Sequence, residues 1–162
     1  ATTELAYTIA HRGDYNYFSF KGMRSEGNNE LHVTSTHYDD QIALDLVRGS
    51  QRTVAIHGCE GNESVAYIGG SDDRLIELIT ESLEDIGISV REAPHHISGT
   101  QENNIVNMTQ TQGGVQLELT AQLRKELFKN RKSSRKNREN KDNWDDLMYD
   151  FADAMKKAIE RA

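Results

Sequence analysis

The chain has 162 residues, of which 36% are hydrophobic and 28% charged, with a single proline. These values indicate one domain over residues 1–162 with a sizeable core, and they exclude collagen-like and low-complexity chains. No apolar run is long enough to cross a bilayer and no signal peptide is visible, so we predict a soluble protein, cytoplasmic or released from the cell. The single cysteine, Cys59, excludes an internal disulfide and a zinc site built from several cysteines.

The formal net charge of −7 argues against nucleic acid as the partner, and no feature indicates a membrane partner. The charge is unevenly distributed, because residues 129–141 carry seven Lys and Arg side chains and only one acid, Glu139. This stretch is therefore +6 and the rest of the chain −13. Two interpretations stay open: a binding surface for a polyanion, or a solvated basic loop.

Short β-rich runs alternate with longer helical patterns, which predicts an α/β fold with crossover helices. The predicted strands are 15–20, 31–36, 53–56, 65–68, 88–90 and 115–119. The predicted helices are one under way from residue 1, one at 39–47, one at 71–86, one that starts at Thr120, and a terminal amphipathic helix at 142–161. Ile42, Leu44, Leu46 and Val47 form the predicted apolar face of the second helix, and Ser71 is the predicted cap of the third.

A long polar connection at 93–114 is typical of a functional or mobile loop. Its amide side chains, which include Asn104 and Asn107, are candidate donors to a substrate.

His57 follows an apolar strand, and ligands of open α/β sheets bind at the carboxyl ends of strands. With Glu60 it forms an H-x-x-E pattern that zinc accepts when a second histidine completes the set, for which His95 and His96 are candidates. An exposed histidine beside an exposed glutamate is the alternative interpretation.

Glu118 lies within an alternating strand and shares a face with Gln116. If that face is buried, the pKa of the carboxyl rises and the group suits general base catalysis. If the strand lies at the edge of the sheet, the same pattern indicates only a polar face in water. Residues of this strand do not decide between the two.

Further candidates can bind a carboxylate-bearing substrate. Arg124 lies just beyond the Glu118 strand, and its guanidinium suits a two-pronged bond to a carboxylate. The imidazole of His32 is another candidate.

Several segments together resemble the poly-γ-glutamate hydrolase family of phages and Bacillus. They are Leu-His-Val-Thr-Ser-Thr-His-Tyr-Asp-Asp at 31–40, Ile-His-Gly-Cys at 56–59, Tyr-Ile-Gly-Gly-Ser-Asp at 67–72, Asn-Ile-Val-Asn at 104–107, and Gly-Val-Gln-Leu-Glu-Leu at 114–119, followed by Leu-Arg at 123–124. They keep the family's order from the first residues to about residue 128.

The resemblance implies a zinc carboxypeptidase-like fold with a mixed, mostly parallel sheet flanked by helices. It also implies a Zn²⁺-dependent hydrolase of the γ-amide bonds of poly-γ-glutamate, a capsule polymer, with His57 as a metal ligand and Glu118 as the carboxylate that activates the attacking water. This polymer carries one α-carboxylate per residue, so basic groups are needed to bind it, and the candidates are Lys21, Arg24, His32 and Arg124. Glu60 matches no family ligand. The family's other two ligands belong to a His-Gly-Gly-x-Ile-Glu motif that would lie just before Ala1, together with a first strand. The alternative function is therefore a poly-γ-glutamate-binding module without a metal site.

Overall fold

The computed structural model describes residues 1–162 and contains one four-stranded sheet. Its strands are β1 (Val54–Cys59), β2 (Val65–Gly70), β3 (Ser89–Glu92) and β4 (Val115–Thr120). They lie in the order β1-β4-β2-β3, so β4 is an interior strand although it is the last in the chain. β1 is parallel to β4 and β2 to β3, whereas β2 and β4 are antiparallel. The predicted α/β fold with a mixed, mostly parallel sheet is confirmed.

Six α-helices accompany the sheet: α1 (Thr2–Gly13), α2 (Gln41–Arg48), α3 (Asp73–Glu84), α4 (Ala121–Glu126), α5 (Arg135–Arg138) and α6 (Asp146–Arg161). The predicted cap of α3 is wrong by one residue. Asp72 accepts a hydrogen bond from the Leu75 N–H at 3.0 Å, while the Ser71 hydroxyl donates to Asn107 instead. None of these helices is both long and apolar enough to cross a membrane.

The core lies where α1, α3 and α6 pack on one another and on the sheet. The apolar stripe of α6 supplies Met148, Phe151 and Met155, which are fully buried. They belong to the same apolar cluster as Leu78 of α3 and Leu117 of β4, which are also buried. Burial of this shared apolar surface is the main force that fixes the helices against the sheet.

The two strands predicted at 15–20 and 31–36 are wrong. Neither segment has a neighbouring strand with which to exchange backbone hydrogen bonds. Between α1 and α2 the chain forms only two short 3-10 turns, Asn28–Leu31 and Ser35–His37. Alternating aromatic residues are therefore not sufficient for a strand here, and Phe20 is 61% exposed.

Two details of the helices also differ from the prediction. Ile42 is 67% exposed and Ala43 is buried, so the predicted apolar face of α2 is wrong at its first position. The terminal helix begins at Asp146 rather than at residue 142, because the Asp145 side chain accepts a hydrogen bond from the Leu147 N–H and caps the helix there.

Candidate active site

Two side chains from neighbouring strands meet near the carboxyl ends of β1 and β4. The parallel register of these strands places His57 directly beside Glu118. His57 Nδ1 lies 3.9 Å from Glu118 Oε1. The structure therefore brings together the two residues that the family resemblance assigns to the metal and to the attacking water.

Glu118 lies on an interior strand, since β4 has β1 on one side and β2 on the other. Only 7% of the residue is exposed, so a solvated edge strand is the wrong alternative. Burial raises the pKa of the Glu118 carboxyl to about 7, against the opposing effects of a hydrogen bond from Gln116 and the charge of Arg124. Near neutral pH this carboxyl can both take up and release a proton.

The imidazole of His57 is neutral at neutral pH. Partial burial lowers its pKa, and the charge of His32 lowers it further, which places His32 close to the site. A neutral imidazole presents a nitrogen lone pair, the form in which histidine binds metal ions.

Arg124 is held in place across the ends of two strands. Thr120 caps α4, and the helix returns the Arg124 side chain toward β1 and β4. Its Nε donates to the Leu119 carbonyl at 3.1 Å and its Nη2 to the Cys59 carbonyl at 2.9 Å. Its Nη1 takes part in neither bond, so one edge of the guanidinium stays available for a carboxylate.

The site also contains a residue whose role the sequence did not reveal, Gln116. Its Nε2 donates to Glu118 Oε1 at 3.3 Å and to the Ile97 carbonyl at 3.2 Å. Its Oε1 accepts a hydrogen bond from Asn104 Nδ2 at 3.1 Å. The available signal was a second polar residue on the same face of an apolar strand.

Asn104 and Asn107 are buried in the 93–114 connection. Asn104 Oδ1 accepts from the Val106 N–H, so the Asn104 amide is engaged by this turn and by Gln116. Asn107 Nδ2 donates to the carbonyls of Gly99 and Gln101 at 2.7 and 3.0 Å. Asn104 therefore holds the connection against β4, and Asn107 holds the connection together and to Ser71. Neither amide is directed at an open surface.

A cavity of about 760 Å³ opens beside His57. Its walls are mostly apolar and include Phe18, Val33 and Tyr38 from the segment between α1 and α2. The volume lies within the range of ligand sites. Lys21 belongs to the same segment, is exposed, and is not among the residues that line the cavity.

The residues present do not form a complete zinc centre. A catalytic zinc is normally held by three protein ligands, and no three His, Cys, Asp or Glu side chains of the chain are grouped in a way that could hold a metal. The H-x-x-E set of His57 and Glu60 with His95 or His96 is therefore wrong. Glu60 is exposed beyond the end of β1.

Comparisons with solved structures place this geometry in a known fold. The structure of a bacteriophage poly-gamma-glutamate hydrolase matches with a TM-score of 0.92 and 32% sequence identity, over 98% of this chain and 76% of the other. A structure described as YNDL-apo (zinc-free) matches with a TM-score of 0.84 and 27% identity, over 97% of this chain and 76% of the other.

Sequence comparisons agree. The SPbeta prophage-derived UPF0714 protein YoqZ of Bacillus subtilis (strain 168) is 36% identical over 129 residues, which cover 78% of this chain and 46% of the relative. The UPF0714 protein YmaC of the same strain is 31% identical over 155 residues, which cover 91% of this chain and 62% of the relative. The chain thus spans about half to three fifths of these relatives. The model of the poly-gamma-glutamate hydrolase family matches residues 1–154, and the chain belongs to this family.

Proposed function

We propose that the protein hydrolyses the γ-glutamyl amide bonds of poly-γ-glutamate, with Glu118 as the general base. The observation that carries the proposal is a buried carboxyl on an interior strand, 3.9 Å from His57, which itself lines an open cavity. Membership of the poly-gamma-glutamate hydrolase family supports the substrate class.

Glu118 carries the proton transfers. With its pKa raised to about 7, about half of the carboxyl is ionised at neutral pH, and this carboxylate is a stronger base toward the attacking water than an ordinary one. The same group then passes that proton to the nitrogen of the leaving amine. Gln116 supports this role because its hydrogen bond fixes the position of Oε1.

We propose His57 as a zinc ligand. Its neutral imidazole beside Glu118 supports this role, as does the solved relative described as zinc-free. The chain offers no complete ligand group around His57, so the zinc requirement is tested on the full-length protein.

Positive groups near the site serve the α-carboxylates of the substrate. Arg124 is the strongest candidate, because two backbone carbonyls fix its guanidinium while Nη1 stays open. His32 lies near His57, and Lys21 is an exposed cation of the segment that borders the cavity. Asn104 and Asn107 contribute by holding Gln116 and the 93–114 connection rather than by touching substrate.

The missing ligand group favours one other candidate function, a poly-γ-glutamate-binding module without catalysis. The two are separated by incubating the full-length protein with poly-γ-glutamate and with α-linked polyglutamate and measuring newly released amines and bound zinc. A hydrolase releases amines from the γ-linked polymer only, contains about one zinc per chain and loses activity to a chelator. His57→Ala abolishes both zinc binding and activity, whereas Glu60→Gln leaves both unchanged. Polymer binding without amine release refutes the hydrolase.

A further inference from the structure

The strongest charge contrast in the molecule lies in residues 129–141, called here the basic segment. It carries a net charge of +6, and the rest of the chain carries −13. Its seven cations include three arginines within 4.0 Å of a carboxylate: Arg131 near Glu126, Arg135 near Glu139 and Arg138 near Glu4. The four lysines, Lys129, Lys132, Lys136 and Lys141, have no carboxylate partner at that distance and are exposed.

The basic segment has a defined structure. An antiparallel bridge between Phe128 and Trp144 closes its base, and the Asp145 N–H donates to the Leu127 carbonyl at 3.0 Å. The buried Trp144 indole donates to the Arg138 carbonyl at 2.8 Å. Short helical turns fill the segment, so its cations have set positions relative to the core.

Its contacts place the basic segment next to elements that border the site. Arg135 Nη1 donates to the Met23 carbonyl at 3.2 Å, on the segment that also carries Phe18 and His32. Lys141 Nζ lies 5.0 Å from the centre of the Tyr7 ring on α1, whose first residues line the cavity beside His57. A polymer that leaves the cavity across these elements therefore reaches unpaired lysines.

We infer that the basic segment binds the part of a poly-γ-glutamate chain that extends beyond the cavity. This inference rests on the proposed function, because a polymer with one carboxylate per residue supplies regularly spaced anions along that path. Exposed lysines attract such a chain without fixing its register, which allows it to slide. The −13 charge on the rest of the molecule repels the polymer elsewhere and confines binding to this surface.

The test uses the full-length protein and the double variant Lys132→Gln/Lys136→Gln. Both lysines are exposed and outside every ion pair, so their replacement leaves the fold intact. Lys156→Gln/Lys157→Gln on α6 is the control, because it removes the same charge outside the basic segment. Its two ion pairs, with Glu160 and Asp85, lie on the surface and contribute little to stability. Binding of long poly-γ-glutamate is measured at low and high salt, and kcat/KM is measured on a short γ-linked oligomer.

We expect the basic-segment variant to bind long polymer about five-fold more weakly at low salt, with a shallower salt dependence. Its kcat/KM on the short oligomer and both properties of the control stay unchanged. The inference is overturned if polymer binding weakens equally in the two variants or does not weaken at all. It is also overturned if the basic-segment variant loses kcat/KM on the short oligomer in parallel with polymer binding. Preferential binding of duplex DNA through these lysines overturns it in favour of a nucleic-acid surface. Salt-sensitive binding through the basic segment without cleavage of any γ-bond refutes the hydrolase and leaves the binding surface standing.

Discussion

Replacement of Glu118 by glutamine should stabilise the fold while it removes the proposed base. Burial favours the protonated carboxyl, so ionisation of Glu118 costs free energy in the folded state only. This cost is absent below the ordinary pKa of 4.5, grows as the pH rises, and is complete above the raised pKa of about 7. Glutamine keeps the shape of the side chain and carries no charge.

The magnitude follows from the size of the pKa shift. A rise from 4.5 to about 7 corresponds to about 3 kcal/mol of unfolding free energy at about 1.4 kcal/mol per pKa unit. The residue is only 7% exposed, so solvent screens little of this effect. For a chain of this length the gain amounts to a rise in Tm of roughly 6–12 °C.

Urea unfolding of the chelator-treated protein at about pH 5 and about pH 8 measures this effect. Glu118→Gln should be close to the parent at the lower pH and clearly more stable at the higher pH. Glu60→Gln, at an exposed position, should change stability by less than about 0.5 kcal/mol at both. A Glu118→Gln protein that is equally destabilised at both pH values refutes the reasoning.

Three further substitutions test the candidate site, the 93–114 connection and the apolar core. Gly58→Ala places a Cβ 2.9 Å from Arg124 Cζ, so it should displace the guanidinium. We expect KM for a short γ-linked oligomer to rise several-fold, with little change in the urea midpoint, and an unchanged KM contradicts the assigned role of Arg124. Asn107→Ala leaves the Gly99 and Gln101 carbonyls without their donor. The unfolding free energy measured in urea should therefore fall by about 2 kcal/mol, whereas a neutral result means that water replaces the amide. Phe151→Ala should cost about 3–5 kcal/mol in the same assay, and a loss below about 1 kcal/mol contradicts its place in the core.

The sequence predicts those helices and strands that can be recognised from the pattern of their own residues. The apolar spacing of α3 and α6 and the alternation of β4 identify these elements because each buries a continuous stripe or face. The segments at 15–20 and 31–36 show a similar alternation but have no strand beside them, and pairing is not visible in one segment alone.

In the candidate site, too, local sequence identifies residues but not their surroundings in the fold. Motif resemblance singles out His57 and Glu118, but local sequence does not reveal that β4 is an interior strand between β1 and β2. Asn104 and Asn107 are polar loop residues in the sequence and buried anchors in the structure, because the 93–114 connection folds back on β4.

The most direct test of the central claim is the kcat of full-length Glu118→Gln on a γ-linked glutamate oligomer of defined length. Loss of a general base should lower kcat by about 1,000-fold. The KM should stay within about three-fold of the parent, because Arg124 and the cavity still bind the substrate. A variant that keeps the parent kcat would contradict the role of Glu118 as the base.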